Sequence, residues 1–273
     1  MRTAAAVLLT ATAAAARTNV VCVGDSITVT QGVQSYPSQL ATLLGDQFNV
    51  INNGDSGHTM LVNGLCGASP AGSWRRPCLA TPPNSPPICS GNCSYWGSDQ
   101  FLNTTNTATA PDIITIMLGT NDAKYCNWNG PANGEPRGAG TQFAADYVQM
   151  IKVFKALPSK PKVYVVTPPP GISQCQATGP AGNGSICLAY NMSFIAINEI
   201  FPVLQRQIAK DGGADGVIDV WGALNGTSCT KTGPNAGVPI PKGPCPSTVD
   251  GIHPYPNSLA VIARTIAAAI TAA

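Results

Sequence analysis

The stretch Asp112-Ile-Ile-Thr-Ile-Met-Leu118, followed at once by Gly119-Thr-Asn-Asp122, decides the fold class of this chain. Its apolar residues run almost without interruption, which is typical of a strand in a parallel sheet that helices cover on both faces. A polar turn directly after such a strand lies at the carboxyl edge of the sheet, where open α/β sheets bind their ligands. The sequence therefore predicts a buried strand with a functional site at its end.

Shorter β-branched runs and helical patterns alternate on both sides of this stretch. They predict strands at residues 19–23, 48–51, 162–166 and 217–220, and helices at 36–44, 142–157, 188–210 and 258–272, the third of them bent at Pro202. This alternation predicts one α/β domain, a three-layer doubly wound parallel sheet. Two Pro-, Gly- and Cys-rich segments, residues 61–100 and 222–249, are predicted to be disulfide-pinned loop excursions.

The N-terminus and the cysteines predict an extracellular protein. Residues 1–16 combine one Arg, a short apolar run and an Ala-rich end, as a secretory signal peptide does, so we expect a mature domain at 17–273. Ten cysteines favour an oxidising compartment. Candidate local disulfides are Cys89/Cys93, Cys175/Cys187 and Cys229/Cys245, whereas Cys22 lies in a strand and is a candidate free thiol. Sequons for N-glycosylation stand at Asn92, Asn103, Asn183, Asn191 and Asn225.

The composition argues against several function classes. A net charge of +2 and only 10% charged residues give no reason to expect a nucleic-acid partner. No segment after the leader has the roughly 18 apolar residues of a membrane helix. With two histidines and no Cys-x-x-Cys pair, we expect no metal and no cofactor. We also expect a monomer.

Four short segments contain the side chains that nucleophilic catalysis needs. They are Gly24-Asp-Ser-Ile27, Asn53-Gly-Asp-Ser-Gly-His58, Gly119-Thr-Asn-Asp122 and Asp250-Gly-Ile-His253. A serine hydroxyl is a weak nucleophile unless a base takes its proton, and ester hydrolysis also needs donors aimed at the developing oxyanion. Both Gly-Asp-Ser and Asp-x-x-His occur twice, so chemistry alone leaves either serine as nucleophile and either histidine as base.

The order of the four segments resembles that of the SGNH (GDSL-type) hydrolases, over essentially the whole mature chain. The resemblance implies a flavodoxin-like sheet with Ser26 as nucleophile, His253 as general base and Asp250 as the group that orients the imidazole. It also implies an oxyanion hole made by the amides of Ser26 and Gly57 and the side chain of Asn121. Asp25 and Asp122 are then expected to be structural turn-formers.

The substrate is expected to be a small-molecule or polysaccharide ester, with His58, Trp96 and Trp128 as candidate substrate contacts. Further likeness to the sialate O-acetylesterase-like branch lies in Tyr95-Trp96, Ile116–Asp122, Asn127-Trp128, Ala156–Pro161 and Thr167–Pro170. It implies a secreted esterase that removes acetyl groups from carbohydrates through an acyl-enzyme. Two alternatives are a lipid or short-chain acyl esterase, which would need an apolar lid or groove, and a non-catalytic carbohydrate-binding module, which would not need the complete set of catalytic groups.

Overall fold

The structure, a computed structural model, describes residues 16–30, 34–66, 92–128, 131–132, 135–136, 141–171, 193, 196–229 and 252–272. The longer strands are β1 (Thr18–Gly24), β2 (Phe48–Gly54), β3 (Ile113–Met117), β6 (Lys162–Val166) and β7 (Gly216–Ile218). A short antiparallel pair is formed by β4 (Pro131–Ala132) and β5 (Glu135–Pro136). The α-helices are α1 (Ser26–Val29), α2 (Tyr36–Leu44), α3 (Asp99–Thr105), α4 (Tyr125–Trp128), α5 (Thr141–Lys155), α6 (Phe201–Gly212), α7 (Val220–Ala223) and α8 (Pro256–Thr271).

The five longer strands form one parallel sheet in the order β2-β1-β3-β6-β7. Successive side chains of a strand point to opposite faces. In β1, Val21 and Val23 therefore join the core formed with α5 and α6, while Val20 and Cys22 join the core formed with α2 and α8. The predicted three-layer α/β fold is confirmed.

The strand ends are aligned across the sheet. Gly24 of β1 pairs with Gly54 of β2 on one side and with Met117 of β3 on the other. The chain turns from β1 into α1 so tightly that a Cβ at Gly24 would clash with the side chain of Thr28. Three of the four sequence segments therefore leave the sheet side by side at its carboxyl edge.

Two of the sequence predictions for the second half of the chain are wrong in detail. The described part of the predicted helix 188–210 comprises Ser193, which lies outside any helix, a π-helical turn, Ala196–Ile200, and α6, whose first turn contains Pro202. A proline is tolerated there because the first helical N–H groups have no helical acceptor. The last strand ends at Ile218, because the Asp219 side chain accepts a hydrogen bond from Gly222 N (3.0 Å) and caps α7.

The predicted Cys89/Cys93 disulfide is wrong, because Cys93 is bonded to Cys66, 27 residues earlier. Sequence proximity favoured the local pair, but the fold returns the chain at Cys93 to the segment that follows β2. Cys175, Cys187 and Cys245 lie outside the described residues, so the pairs Cys175/Cys187 and Cys229/Cys245 stay predictions, whereas Cys22 is a buried free thiol, as predicted. Among the residues that the structure describes, no helix is long and apolar enough to cross a bilayer.

Candidate active site

Ser26 and His253 meet at the carboxyl edge of the sheet. Ser26 Oγ lies 2.8 Å from His253 Nε2, a hydrogen-bond distance, and both residues are partly exposed. Ser26 is the first residue of α1, where the Asp25 carboxylate caps the helix by accepting from Ile27 N (3.0 Å). His253 stands between two buried residues, Ile252 and Pro254, shortly before α8. Residues 227 apart in sequence are therefore placed as a serine nucleophile and its base would have to be, at a partly exposed position.

Asp250, predicted to orient the imidazole, lies outside the described residues. Its role stays a prediction. The three-residue separation of Asp250 and His253 is the sequence observation on which it depends.

The second Asp-x-x-His segment is arranged differently. His58 Nδ1 lies 3.3 Å from Asp55 Oδ1 and 3.2 Å from the carbonyl oxygen of Ser56. Two acceptors at one ring nitrogen favour the proton on Nδ1, which leaves Nε2 of a neutral ring as an acceptor. Ser56 is exposed, and its imidazole neighbour contacts its carbonyl group rather than its hydroxyl. This segment therefore lacks the serine-to-imidazole contact that the first copy makes.

The predicted oxyanion donors follow the neighbouring strands. Gly57 has φ +82°, a left-handed conformation that glycine adopts readily. Asn121 is buried, and its Nδ2 donates to the carbonyl oxygen of His58 (3.1 Å). A side-chain amide carries two N–H bonds, so one can hold this loop while the other faces an oxyanion. Asn121 is itself held by Asn127, whose Nδ2 donates to the Asn121 carbonyl oxygen (3.0 Å).

Two carboxyl groups are buried at this edge of the sheet: Asp25, next to Ser26, and Asp122, in the third segment. Burial raises the pKa of Asp25 to about 6, although the neighbouring charges of His253 and Lys124 lower it. Burial also raises the pKa of Asp122 to about 7, against the hydrogen bonds from Met60 N and Leu61 N. Lys124 has a lowered pKa because it is buried too. Asp25 caps a helix, as a structural role implies, but Asp122 bonds a segment about 60 residues away and is not a local turn-former.

The two tryptophans predicted as substrate contacts are used inside the protein. Trp128 is only 3% exposed and packs edge-on against Phe143 and Phe201, so its prediction as a substrate contact is wrong. The sequence predicted a loop at Trp128, whereas the short helix α4 places its indole ring in the core. Trp96 is partly buried, and its indole N–H donates to Met60 O (2.9 Å). A contact of Trp96 or His58 with substrate stays a prediction.

The sequence matches the GDSL-like Lipase/Acylhydrolase family over residues 22–228, which is more than half of the chain. The chain belongs to this family. The match includes Ser26, Gly57 and Asn121, and it ends before His253. The GDSL family assignment agrees with the resemblance found in the order of the four segments.

Individual relatives of this GDSL-family chain are distant. An acetylxylan esterase of Xylanibacter ruminicola is 27% identical over 274 residues, which cover 92% of this chain and 42% of the relative. The chain thus spans about two fifths of that relative's length. A carbohydrate acetylesterase family member from Sinorhizobium meliloti has a TM-score of 0.52 at 19% identity, covering 93% of this chain and 98% of its own. The acetyl xylan esterase AlAXEase has a TM-score of 0.53 at 17% identity, covering 92% and 99%. At these identities the two structures show a shared fold.

Proposed function

We propose that this GDSL-family protein is a secreted serine esterase that removes acetyl groups from carbohydrates through an acyl-enzyme. The observation that carries the proposal is the 2.8 Å contact between Ser26 Oγ and His253 Nε2, at the sheet edge where Gly57 and Asn121 also lie. A hydroxyl becomes a useful nucleophile when an imidazole is placed to take its proton as the bond to carbon forms.

In the first half of the reaction, Ser26 Oγ attacks the acyl carbon and its proton passes to His253 Nε2. The carbonyl oxygen becomes an oxyanion, which the amides of Ser26 and Gly57 and one N–H of Asn121 are proposed to stabilise. The Ser26 amide suits this task because the first N–H of a helix has no helical acceptor. When the tetrahedral intermediate collapses, the bond to the leaving alcohol breaks, and that oxygen takes the proton from His253.

In the second half, a water molecule attacks the acyl-serine. His253 Nε2 takes one proton from this water and returns it to Ser26 Oγ as the acyl bond breaks, so that a carboxylic acid leaves and the enzyme is restored. Asp250 is proposed to stabilise the imidazolium that exists during each transfer.

The acetyl group and the carbohydrate acceptor are proposed from the relatives and from the composition. The names of the curated and structural relatives above refer to acetylxylan or carbohydrate acetyl esters. The low share of charged residues and the many Asn, Ser and Thr side chains suit a neutral, hydroxyl-bearing substrate. Secretion is proposed from the leader-like residues 1–16, and the Cys66–Cys93 disulfide is consistent with it.

Hydrolysis of p-nitrophenyl esters with acyl chains of two to twelve carbons, and of acetylated xylan and acetylated sialosides, tests this proposal. We expect the two-carbon ester to give the highest kcat/KM and at least one acetylated glycan to release acetate. A wild-type protein that hydrolyses none of these esters would refute the esterase. A preference for the long chains would instead favour a lipid esterase.

A further inference from the structure

Two consecutive side chains of the third segment, Asn121 and Asp122, bind the residues that follow Gly57. Asn121 Nδ2 donates to the carbonyl oxygen of His58 (3.1 Å). Next to it, Asp122 Oδ2 accepts from Met60 N (2.8 Å) and Asp122 Oδ1 accepts from Leu61 N (2.9 Å). Asp122 is completely buried. Residues 58–61, which begin directly after Gly57, are thus hydrogen-bonded to the turn that follows β3.

We propose that Asp122 is a positioning residue of the esterase, whose ionised carboxylate holds residues 58–61 so that the Gly57 N–H faces the oxyanion. This inference rests on the proposed function. Asp122 itself contacts the loop and not the substrate, so it acts through Gly57 and Asn121.

The geometry of the two hydrogen bonds makes a carboxylate necessary. Backbone N–H groups are donors only and cannot reverse their direction, so Met60 and Leu61 need two acceptor oxygens. An ionised carboxylate supplies both, whereas an amide supplies one acceptor and one donor, and protonation makes one carboxyl oxygen an O–H donor that accepts only weakly. With a donor facing a donor in a buried place, one backbone amide loses its partner, and the loop must move to satisfy it.

Other contacts hold this segment as well. Thr59 N donates to Cys93 O (2.7 Å) and Thr59 O accepts from Tyr95 N (2.9 Å), whereas the N–H groups of Met60 and Leu61 have their acceptors in Asp122. Asp146 Oδ2 accepts from Val62 N (2.8 Å), and Asn127 bonds both the N–H and the carbonyl group of Leu65 (2.8 and 3.0 Å). The disulfide at Cys66 then closes the segment onto Cys93. The attachments at Val62, Leu65 and Cys66 lie further from Gly57 along the chain than Met60 and Leu61 do, and the attachment at Thr59 lies nearer.

Asp122→Asn tests the proposal, with Asp146→Asn as the matched control. We expect Asp122→Asn to lower kcat on p-nitrophenyl acetate by about 10–100-fold with KM changed less than about 2-fold, because a misplaced oxyanion donor weakens only the transition state. Asp146 also accepts a backbone N–H of this segment, but its other oxygen accepts from Gln142 Nε2 (2.7 Å), a side chain that can turn its amide round. We therefore expect Asp146→Asn to keep kcat within about 3-fold.

An unchanged kcat in a folded Asp122→Asn, or equal losses in both variants, would overturn the positioning role while leaving the esterase intact. An inactive wild type would refute the proposed function instead.

If Asp122→Asn does not fold, the wild type provides a second measurement. The amide proton resonances of Met60 and Leu61 should shift as Asp122 ionises, near its pKa of about 7, and kcat should rise over the same pH range. Among the described residues, the charged and titratable groups near Asp122 are Asp25, Lys124 and Tyr147, and His58 lies on the segment that carries the two amides. The shift is therefore assigned to Asp122 only where it is seen at both amides. The proposal would be overturned if the amide resonances of Met60 and Leu61 did not change with pH. It would also be overturned if kcat stayed constant over the pH range in which they shift.

Discussion

The two copies of Gly-Asp-Ser, at 24–26 and 54–56, begin alike and end differently. Gly24 and Gly54 pair with each other at the ends of β1 and β2, and Asp55 N donates to Gly24 O (2.9 Å). After the first copy the chain turns into α1 with Ser26 as its first residue. After the second it makes a turn in which Gly57 has φ +82°.

The residue that follows each serine explains the divergence. Ile27 is buried (1% exposed), and its side chain helps to seat α1 on the core that contains α2 and α8. Gly57 has no side chain to bury and accepts a left-handed conformation. The same tripeptide can therefore present a serine hydroxyl in one place and a backbone N–H in the other, and the contact with His253 belongs to the first copy.

Replacing each serine separately tests this comparison most strongly. We expect Ser26→Ala to lower kcat on p-nitrophenyl acetate by at least about 1000-fold, because the nucleophile is lost. Ser56→Ala should stay within about 2-fold of the wild type, because Ser56 is exposed and its hydroxyl is not the atom that the His58 ring contacts. If Ser56→Ala abolished activity and Ser26→Ala did not, the roles of the two copies would be reversed.

Gly57→Ala should have the next largest effect. A left-handed conformation costs an alanine roughly 1–2 kcal/mol, and the turn will relax away from it, taking the predicted oxyanion N–H with it. We expect kcat to fall by about 100-fold, the typical loss for one such donor.

Gly45→Ala is the matched control for Gly57→Ala. Gly45 has φ +72°, and the space around it is as open as around Gly57, but it ends α2. Because Gly45 combines φ +72° with ψ −169°, a region that is nearly restricted to glycine, the control should lose at least as much thermal stability and keep its kcat. Equal losses of kcat in the two variants would show that backbone strain, not the Gly57 N–H, explains the effect.

The aspartates of the two copies should differ in how they couple stability to pH. Burial raises the pKa of Asp25 to about 6, so the folded protein binds a proton there more tightly than the unfolded chain does. The stability from this group is present below about pH 4 and is lost as the pH rises through about 6, a change on the order of 3 kcal/mol. Asn also caps helices well, so Asp25→Asn should keep α1 and remove this part of the slope.

Asp55 provides the comparison for that slope. Its pKa is raised as well, by burial, but it is partly exposed and lies beside His58. Denaturation of both variants in urea between pH 4 and pH 7.5 should show a smaller change of slope for Asp55→Asn than for Asp25→Asn. The reverse order would show that the buried charge behind Ser26 is not the main pH-dependent group of the two copies.

Local patterns predicted the parts of the fold that depend on local physics. The apolar run at 112–118 forms β3, and the spacing at 142–157 forms α5, because a buried strand and an amphipathic helix each need their own periodicity. Two of the predictions that failed depended on distant partners. Cys93 bonds Cys66 rather than Cys89, and Trp128 enters the core between rings from α5 and α6.

By itself, the sequence determined the sheet, the turns that follow its strands and the residue types in those turns. It left open which serine meets which histidine except by resemblance, and it gave no sign that Asp122 binds the amides of Met60 and Leu61. Those facts were decided by the tertiary structure. Parallel strands with aligned ends bring loops that are far apart in sequence to one edge of the sheet, and only there can a side chain select its partner by distance, direction and burial.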